Sequence, residues 1–204
     1  MLIAFEGLDQ SGKETQARLL VEALRADGRR VETLSFPDYE TAIGREIGEA
    51  LAGRREYGAD VMQLLYIANR FEKKPQMLEW LAAGAVVVCD RYVASSVAYG
   101  EAQGLDAAWL VEAQRYLPQP DLTFVLDIAP DIAAARKRTN RDRYERDLDL
   151  LARVRDSYRR QAAQPRWVLV DGERAKDVIA AEIREGLGLQ PDPTRSNLIE
   201  PDRT

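Results

Sequence analysis

The segment Gly7-Leu8-Asp9-Gln10-Ser11-Gly12-Lys13 spaces two glycines and a lysine as G-x-x-x-x-G-K, a spacing suited to phosphate chemistry. Glycines let backbone N–H groups close around phosphate oxygens, the start of a following helix adds partial positive charge, and Lys13 reaches the outer phosphates. The next position usually carries a Ser or Thr whose hydroxyl meets Mg²⁺; here it is Glu14, with Thr15 one residue late. A carboxylate there repels phosphates unless a cation intervenes, and a hard divalent ion accepts carboxylate oxygen as readily as hydroxyl.

The chain of 204 residues contains no histidine. That removes Ser-His-Asp and Cys-His nucleophiles, phosphohistidine intermediates and most zinc sites, leaving Asp, Glu, Lys, Arg or a metal ion to carry any reaction. Phosphoryl transfer asks mainly for positioning and charge stabilisation, so an arginine-rich site suffices for it. A net charge of −5 argues against a nucleic acid or an acidic membrane as partner, while small phosphates in a local arginine pocket remain compatible with it. The single cysteine, Cys89, permits no internal disulfide and reads as a small core residue. No basic leader precedes Glu6, and the apolar run Trp80 to Cys89 is far short of the ~20 residues of a membrane span. The expectation is a soluble protein of the cytoplasm.

The elements that must hold these residues follow from the pattern. An apolar run, Leu2 to Glu6, enters the glycine loop, and Lys13 to Ala26 repeats Ala17, Leu20, Val21 and Leu24 on one helical face. Gly28 stops that helix and Arg30 to Ser35 reads as a second strand; Phe36-Pro37-Asp38-Tyr39 then marks a loop at a strand's C-terminal end, where parallel sheets bind ligands. A helix is expected over Ala42 to Leu51. A longer one is expected over Asp60 to Ala83, with Pro75 bending or interrupting it. The continuous apolar run Ala85 to Cys89 suits a central parallel strand, with Asp90 at its tip. Helical segments to about Tyr116, strands Leu122 to Asp127 and Trp167 to Val170, and helices Asp131 to Arg138, to about Gln161, and Lys176 to Leu187 complete the pattern. The fold class implied is α/β: a doubly wound, five-stranded parallel sheet flanked by helices, with right-handed crossovers, in a single domain over 1–189. Residues 190–204, with three prolines and few apolar groups, read as a mobile tail.

Five further segments carry a family resemblance: Phe36-Pro37; Leu64-Leu65-Tyr66-Ile67-Ala68-Asn69-Arg70-Phe71-Glu72; Asp90-Arg91-Tyr92 with Ser95, Ala98 and Tyr99; Leu117-Pro118 with Pro120-Asp121-Leu122; and Asp142-Arg143-Tyr144-Glu145. In this order and spacing the chain resembles the thymidylate kinases, a family of P-loop nucleoside monophosphate kinases, from Ile3 to Leu187. The resemblance implies transfer of the γ-phosphoryl of ATP to dTMP, giving dTDP and ADP, with Mg²⁺, in a homodimer. It implies that Gly7, Leu8, Asp9, Gln10, Ser11, Gly12, Lys13, Glu14 and Thr15 bind ATP, with Arg136 stacking on adenine. Lys13, Arg91 and Arg143 would be catalytic, and Arg138 or Arg141 would join Arg143 on the phosphates within a short lid over about 136–146. For dTMP it implies Asp9 at the 3′-hydroxyl, Tyr66 stacked on thymine and Arg70 donating to a base carbonyl. Tyr99 would lie against the sugar's 2′ position, with Phe36, Arg91 and Ser95 completing the pocket, and Asp90, with Glu14, would hold the metal.

Two departures stand out. Some relatives have an arginine in the phosphate loop where this chain has Gln10, so the lid must supply that charge. Others have an arginine after Phe-Pro where this chain has Asp38 and Tyr39, so Arg91 or Arg45 must reach the acceptor phosphate. A kinase for another pyrimidine monophosphate, such as dUMP or CMP, and a non-catalytic nucleotide sensor are the alternative readings.

Overall fold

The computed structural model describes residues 1–136 and 147–189. Five strands, β1 (Leu2–Gly7), β2 (Val31–Ser35), β3 (Val86–Asp90), β4 (Leu122–Asp127) and β5 (Trp167–Asp171), form one sheet in the order β2-β3-β1-β4-β5, and every pairing is parallel. Eight helices flank it among the described residues: α1 (Lys13–Ala26), α2 (Ala42–Leu51), α3 (Ala59–Ala82), α4 (Val93–Ala102), α5 (Ala107–Ala113), α6 (Pro130–Arg136), α7 (Leu148–Gln161) and α8 (Lys176–Gly186).

β1 is buried along its whole length because side chains on both sheet faces meet helices. Ile3 and Phe5 join Leu20, Val21 and Leu24 of α1 and Ile179 and Ile183 of α8 on one face; Leu2 and Ala4 join Met77, Val87, Cys89 and Tyr92 on the other. Phe5 and Phe124 stack with ring centroids 5.3 Å apart. Truncating either ring removes its transfer energy and leaves a cavity, about 3–5 kcal/mol for Phe→Ala. Cys89 is buried among these residues, and burial raises its thiol well above the usual range, as expected for a core residue.

Pro75 does not interrupt α3, which runs on through it for 24 residues. The helix loses one hydrogen bond at that ring, and Ile67 and Met77, on either side of it, are packed into separate clusters. α1 begins at Gly12 with no side-chain cap, so its first N–H groups face the preceding loop.

The strand ends that carry the site lie level with one another. Phe5 and Ser35 both register with Asp90. The N–H of Arg91 donates to the Phe5 carbonyl at 2.8 Å and that of Phe36 to the Asp90 carbonyl at 2.9 Å. The residues after β1, β2 and β3 are therefore fixed side by side at one edge of the sheet.

Candidate active site

The loop after β1 is shaped by its backbone. Gly7 has φ 137°, and a Cβ there would lie 2.5 Å from the Leu126 carbonyl, so only glycine lets β1 turn so close to β4. Gln10 and Gly12 also have positive φ. The Lys13 side chain is buried and its Nζ donates to the Leu8 carbonyl and to Asp9 Oδ1, both at 3.3 Å. Burial and the nearby Arg91 guanidinium pull the Lys13 ammonium below its ordinary pKa, while Asp9 and Asp90 oppose them.

Arg91, at the tip of β3, has φ 61°, a left-handed conformation costing a side-chain-bearing residue roughly 1–3 kcal/mol. Its guanidinium is tied on several sides: Nη2 donates to Asp9 Oδ1 at 2.8 Å, Nη1 to Ser95 Oγ at 3.1 Å and to Tyr158 Oη at 3.3 Å, and it lies 5.4 Å from the Tyr99 ring centroid. Burial works to raise the Asp9 carboxyl, but Arg91 and Lys13 outweigh it and hold the group far below the usual carboxylate range.

Beneath Arg91 is a residue the sequence did not single out. Glu6, fully buried in β1, accepts from the N–H of Tyr92 at 2.8 Å, the Ser95 hydroxyl at 2.6 Å and the Tyr158 hydroxyl at 3.2 Å. One carboxylate thus ties the start of α4, and Tyr158 near the end of α7, to the sheet. Glu6 sits inside the apolar run before the glycine loop, and a charge within a buried strand was the available signal.

A cleft of about 600 Å³, open to solvent, begins at Asp9 and Arg91. Phe36, Tyr66, Arg70, Ser95 and Tyr99 line it, so all seven residues expected at an acceptor nucleotide face one space. Pro37 and Tyr39, from the loop the sequence marked after β2, join them, as do Leu51, Gln63 and Ser96, which the sequence did not single out. Arg70 is buried, with Nη1 donating to Ser96 Oγ at 2.7 Å and Gln114 Oε1 at 3.2 Å, while Nε has no partner among the described residues. Its guanidinium is aimed by these two acceptors and also approaches the Phe36 ring at 6.0 Å.

The loop that follows Phe36 is held by Asn69 of α3. Asn69 Oδ1 accepts from the Asp38 N–H at 2.8 Å and Nδ2 donates to Thr41 Oγ1 at 2.8 Å, joining the loop to α3 just before Thr41 caps α2. The helix α2 approaches so closely that a Cβ on Gly44 would collide with the Asp38 carbonyl. Asp38 is paired with Lys73 at 2.7 Å, which holds its carboxyl below the usual range against the effect of burial. Of the two arginines expected to cover the acceptor phosphate, Arg91 lines the cleft; Arg45 is exposed, and its Nη1 donates to the Glu40 carbonyl at 2.6 Å.

Asp90 has a buried Oδ1 with no hydrogen-bond partner among the described residues, and burial raises its pKa against the pull of Lys13 and Arg91. Glu14 is exposed and close enough to Asp90 to add to that rise. A hard cation suits this pair: an orphaned carboxylate oxygen with a second carboxylate nearby and a phosphate loop beside it. Among the described residues no three metal-ligating side chains converge, and Mg²⁺ commonly takes only one or two carboxylates alongside substrate phosphates.

At the end of α6, Arg136 donates from Nη1 to the Gln10 carbonyl and from Nη2 to the Gly172 carbonyl, each at 3.0 Å, bridging the phosphate loop and the turn after β5. Asp127 at the end of β4 accepts bidentate bonds from Arg155 and further bonds from Arg159. Arg138, Arg141 and Arg143, expected in the lid, and the tail 190–204 lie outside the described residues.

A family model described as thymidylate kinase matches residues 5–183. The chain is 38% identical to the thymidylate kinase of Schizosaccharomyces pombe over 78% of its length and 75% of that protein's. It is 33% identical to that of Plasmodium falciparum over 97% and 94%, and 34% identical to that of Homo sapiens over 90% and 87%. A solved structure of thymidylate kinase from Candida albicans superposes with a TM-score of 0.82 at 30% identity, covering 92% of this chain and 90% of that one. The likeness runs through the phosphate loop, the acceptor cleft and the sheet that carries both, and the chain belongs to the thymidylate kinase family.

Proposed function

We propose that the protein transfers the γ-phosphoryl group of ATP to dTMP, giving dTDP and ADP. The observation that carries this reading is the sharing of Asp9 Oδ1 between Lys13 on the phosphate loop and Arg91 at the mouth of the acceptor cleft. A donor's terminal phosphate over the loop and an acceptor's phosphate at Arg91 would then meet between two fixed cations.

Lys13 draws charge from the outer phosphates of ATP, and Arg91 bridges donor and acceptor as negative charge spreads over the equatorial oxygens of the transferring group. Both cations are fixed before substrate arrives, so little reorganisation is needed at the moment of transfer. Asp9 orients the 3′-hydroxyl, Tyr99 fills the space of a 2′-hydroxyl, and Tyr66 stacks on the base while Arg70 donates to a ring carbonyl. A base carbonyl suits Arg70, which keeps donors beyond the two held by Ser96 and Gln114. Arg136, anchored to the phosphate loop and to the turn after β5, stacks on adenine, and Arg143 serves the phosphates from the lid. Asp90, with Glu14, would hold Mg²⁺, which when bound neutralises charge on the donor phosphates. We read the chain as one kinase domain over 1–189, working as a homodimer in the cytoplasm; no described helix is long and apolar enough to cross a membrane.

A CMP-preferring kinase shares the loop, but cytosine offers an amino group where thymine offers the carbonyl suited to Arg70; uracil offers the same carbonyl, and dUMP differs from dTMP in lacking the 5-methyl group. Incubation with ATP, Mg²⁺ and dTMP, followed by chromatography of products, tests the reaction. Equimolar dTDP and ADP are expected; ADP without dTDP, or no turnover, overturns it.

A further inference from the structure

Gln63 on α3 is 1% exposed and lines the acceptor cleft, yet neither Oε1 nor Nε2 of its carboxamide has a hydrogen-bond partner among the described residues. Buried amides are nearly always paired, because both ends of the dipole otherwise lose water and gain nothing. An apolar side chain of the same length would fill the space without that cost, so the amide points to a ligand.

Its place in the cleft limits which part of a ligand it meets. Gln63 is two helical turns before Arg70 on the same face of α3, with Tyr66 between them. Arg70 bonds Ser96 on α4, while Gln63 packs over Gly100, one turn further along α4, where a Cβ would lie 3.3 Å from Gln63 Cγ. The guanidinium therefore stands at the Ser96 and Gln114 end of the cleft, and the amide at the Tyr99 end. A pyrimidine with its O4 toward Arg70 turns its N3 and O2 edge away from that residue, and O2 is the carbonyl next to the sugar, which the proposed function assigns to Tyr99.

We propose that Gln63 is a specificity-determining residue that reads the N3–H and O2 edge of the acceptor base, Oε1 accepting from N3–H and Nε2 donating to O2. Both orphaned atoms are then paired at once. Cytosine, whose N3 is an acceptor, cannot satisfy both ends of the amide, so the contact favours thymine and uracil over it. The inference rests on the reading of the cleft as a pyrimidine nucleotide site.

The test compares dTMP with 2-thio-dTMP, whose sulfur is a poor acceptor, in the wild type and in Gln63→Met. The wild type should prefer dTMP by about tenfold in kcat/KM, as expected for loss of one hydrogen bond in a dry pocket, and Gln63→Met should reduce that preference to about twofold or less. The free variant should melt no lower than the wild type, while the rise in Tm on adding dTMP should shrink. Gln63→Leu repeats the comparison if the methionine variant does not fold. Equal preference for dTMP over the thio analogue in wild type and variant overturns the assignment, as does a drop in the Tm of the free variant with its preference intact. If dTMP is phosphorylated with Arg70 required and only the Gln63 comparison fails, the cleft reading survives. If the wild type does not use dTMP, both fall.

Discussion

Arg91 and Asp9, 82 residues apart in the chain, meet at 2.8 Å between Arg91 Nη2 and Asp9 Oδ1, and Lys13 approaches the same oxygen at 3.3 Å. One carboxylate therefore neutralises two largely buried cations from different strand ends. Asp9→Ala leaves Lys13 and Arg91 facing each other without it. Breaking a fully buried pair costs about 3–5 kcal/mol, and because the Asp9 side chain is 33% exposed the expected loss is smaller, about 1–3 kcal/mol. Urea unfolding of the free enzyme measures it; an unchanged midpoint contradicts the shared-carboxylate description. Transfer to dTMP should fall as well, since Arg91 loses an anchor.

Glu6 acts through other residues. Glu6→Gln keeps the shape but turns one oxygen into an NH₂ that faces N–H and O–H donors. The start of α4 should loosen, lowering kcat for dTMP about tenfold while the KM for ATP moves little. Equal loss in both parameters, tracking a fall in Tm, marks Glu6 as structural only. Tyr158→Phe, which removes one partner of the same carboxylate and one of Arg91, should give a milder version of the same pattern.

Glu14 stands where a hydroxyl is usual, beside an unpaired Asp90 oxygen. If both carboxylates serve Mg²⁺, Glu14→Gln should weaken the apparent Mg²⁺ affinity in a titration at saturating ATP, and Glu14→Ser should retain much of the activity. Identical Mg²⁺ curves for Glu14→Gln and wild type exclude Glu14 as a metal residue.

Acid should weaken the fold through Asp38 and Asp127. Burial works to raise both carboxyls, but Lys73 holds Asp38 and Arg155 with Arg159 hold Asp127 below the ordinary carboxylate value of 3.8. A carboxylate with a depressed folded-state pKa contributes stability that is complete above its unfolded value and is lost as pH falls through the folded one. Stability should therefore be level above about pH 5 and decline below pH 4, and Asp127→Asn should flatten part of that decline. A denaturation midpoint that stays constant from pH 6 to 3 contradicts the pairing.

Much of the architecture was legible because it rests on local signals. Continuous apolar runs gave β1 and β3, the helical repeat through Leu20 and Leu24 gave α1, and Gly12 and Lys13 gave the loop between strand and helix. Tyr66 and Arg70 share a helix face, so their convergence on the cleft follows from spacing of four. What escaped was long-range pairing. Nothing near Glu6 in the chain announces Tyr158, 152 residues away, and nothing near Asp38 announces that Lys73 neutralises it. Gln63 carries no signal of its own in the sequence, because its burial against Gly100 depends on how α4 packs on α3. Pro75 suggests a bend or an interruption, and α3 is not interrupted there.

The central claim is that this cleft accepts dTMP and reads its base through Arg70. Steady-state kinetics with ATP and Mg²⁺ on dTMP, dUMP, dCMP and dGMP, for wild type and Arg70→Ala, test it most directly. The highest kcat/KM is expected for dTMP, with a loss of about ten- to a hundredfold in Arg70→Ala, the equivalent of ~1.5–3 kcal/mol for a charged hydrogen bond. Equal use of dCMP and dTMP by the wild type, or an Arg70→Ala enzyme as efficient on dTMP as its parent, would contradict it.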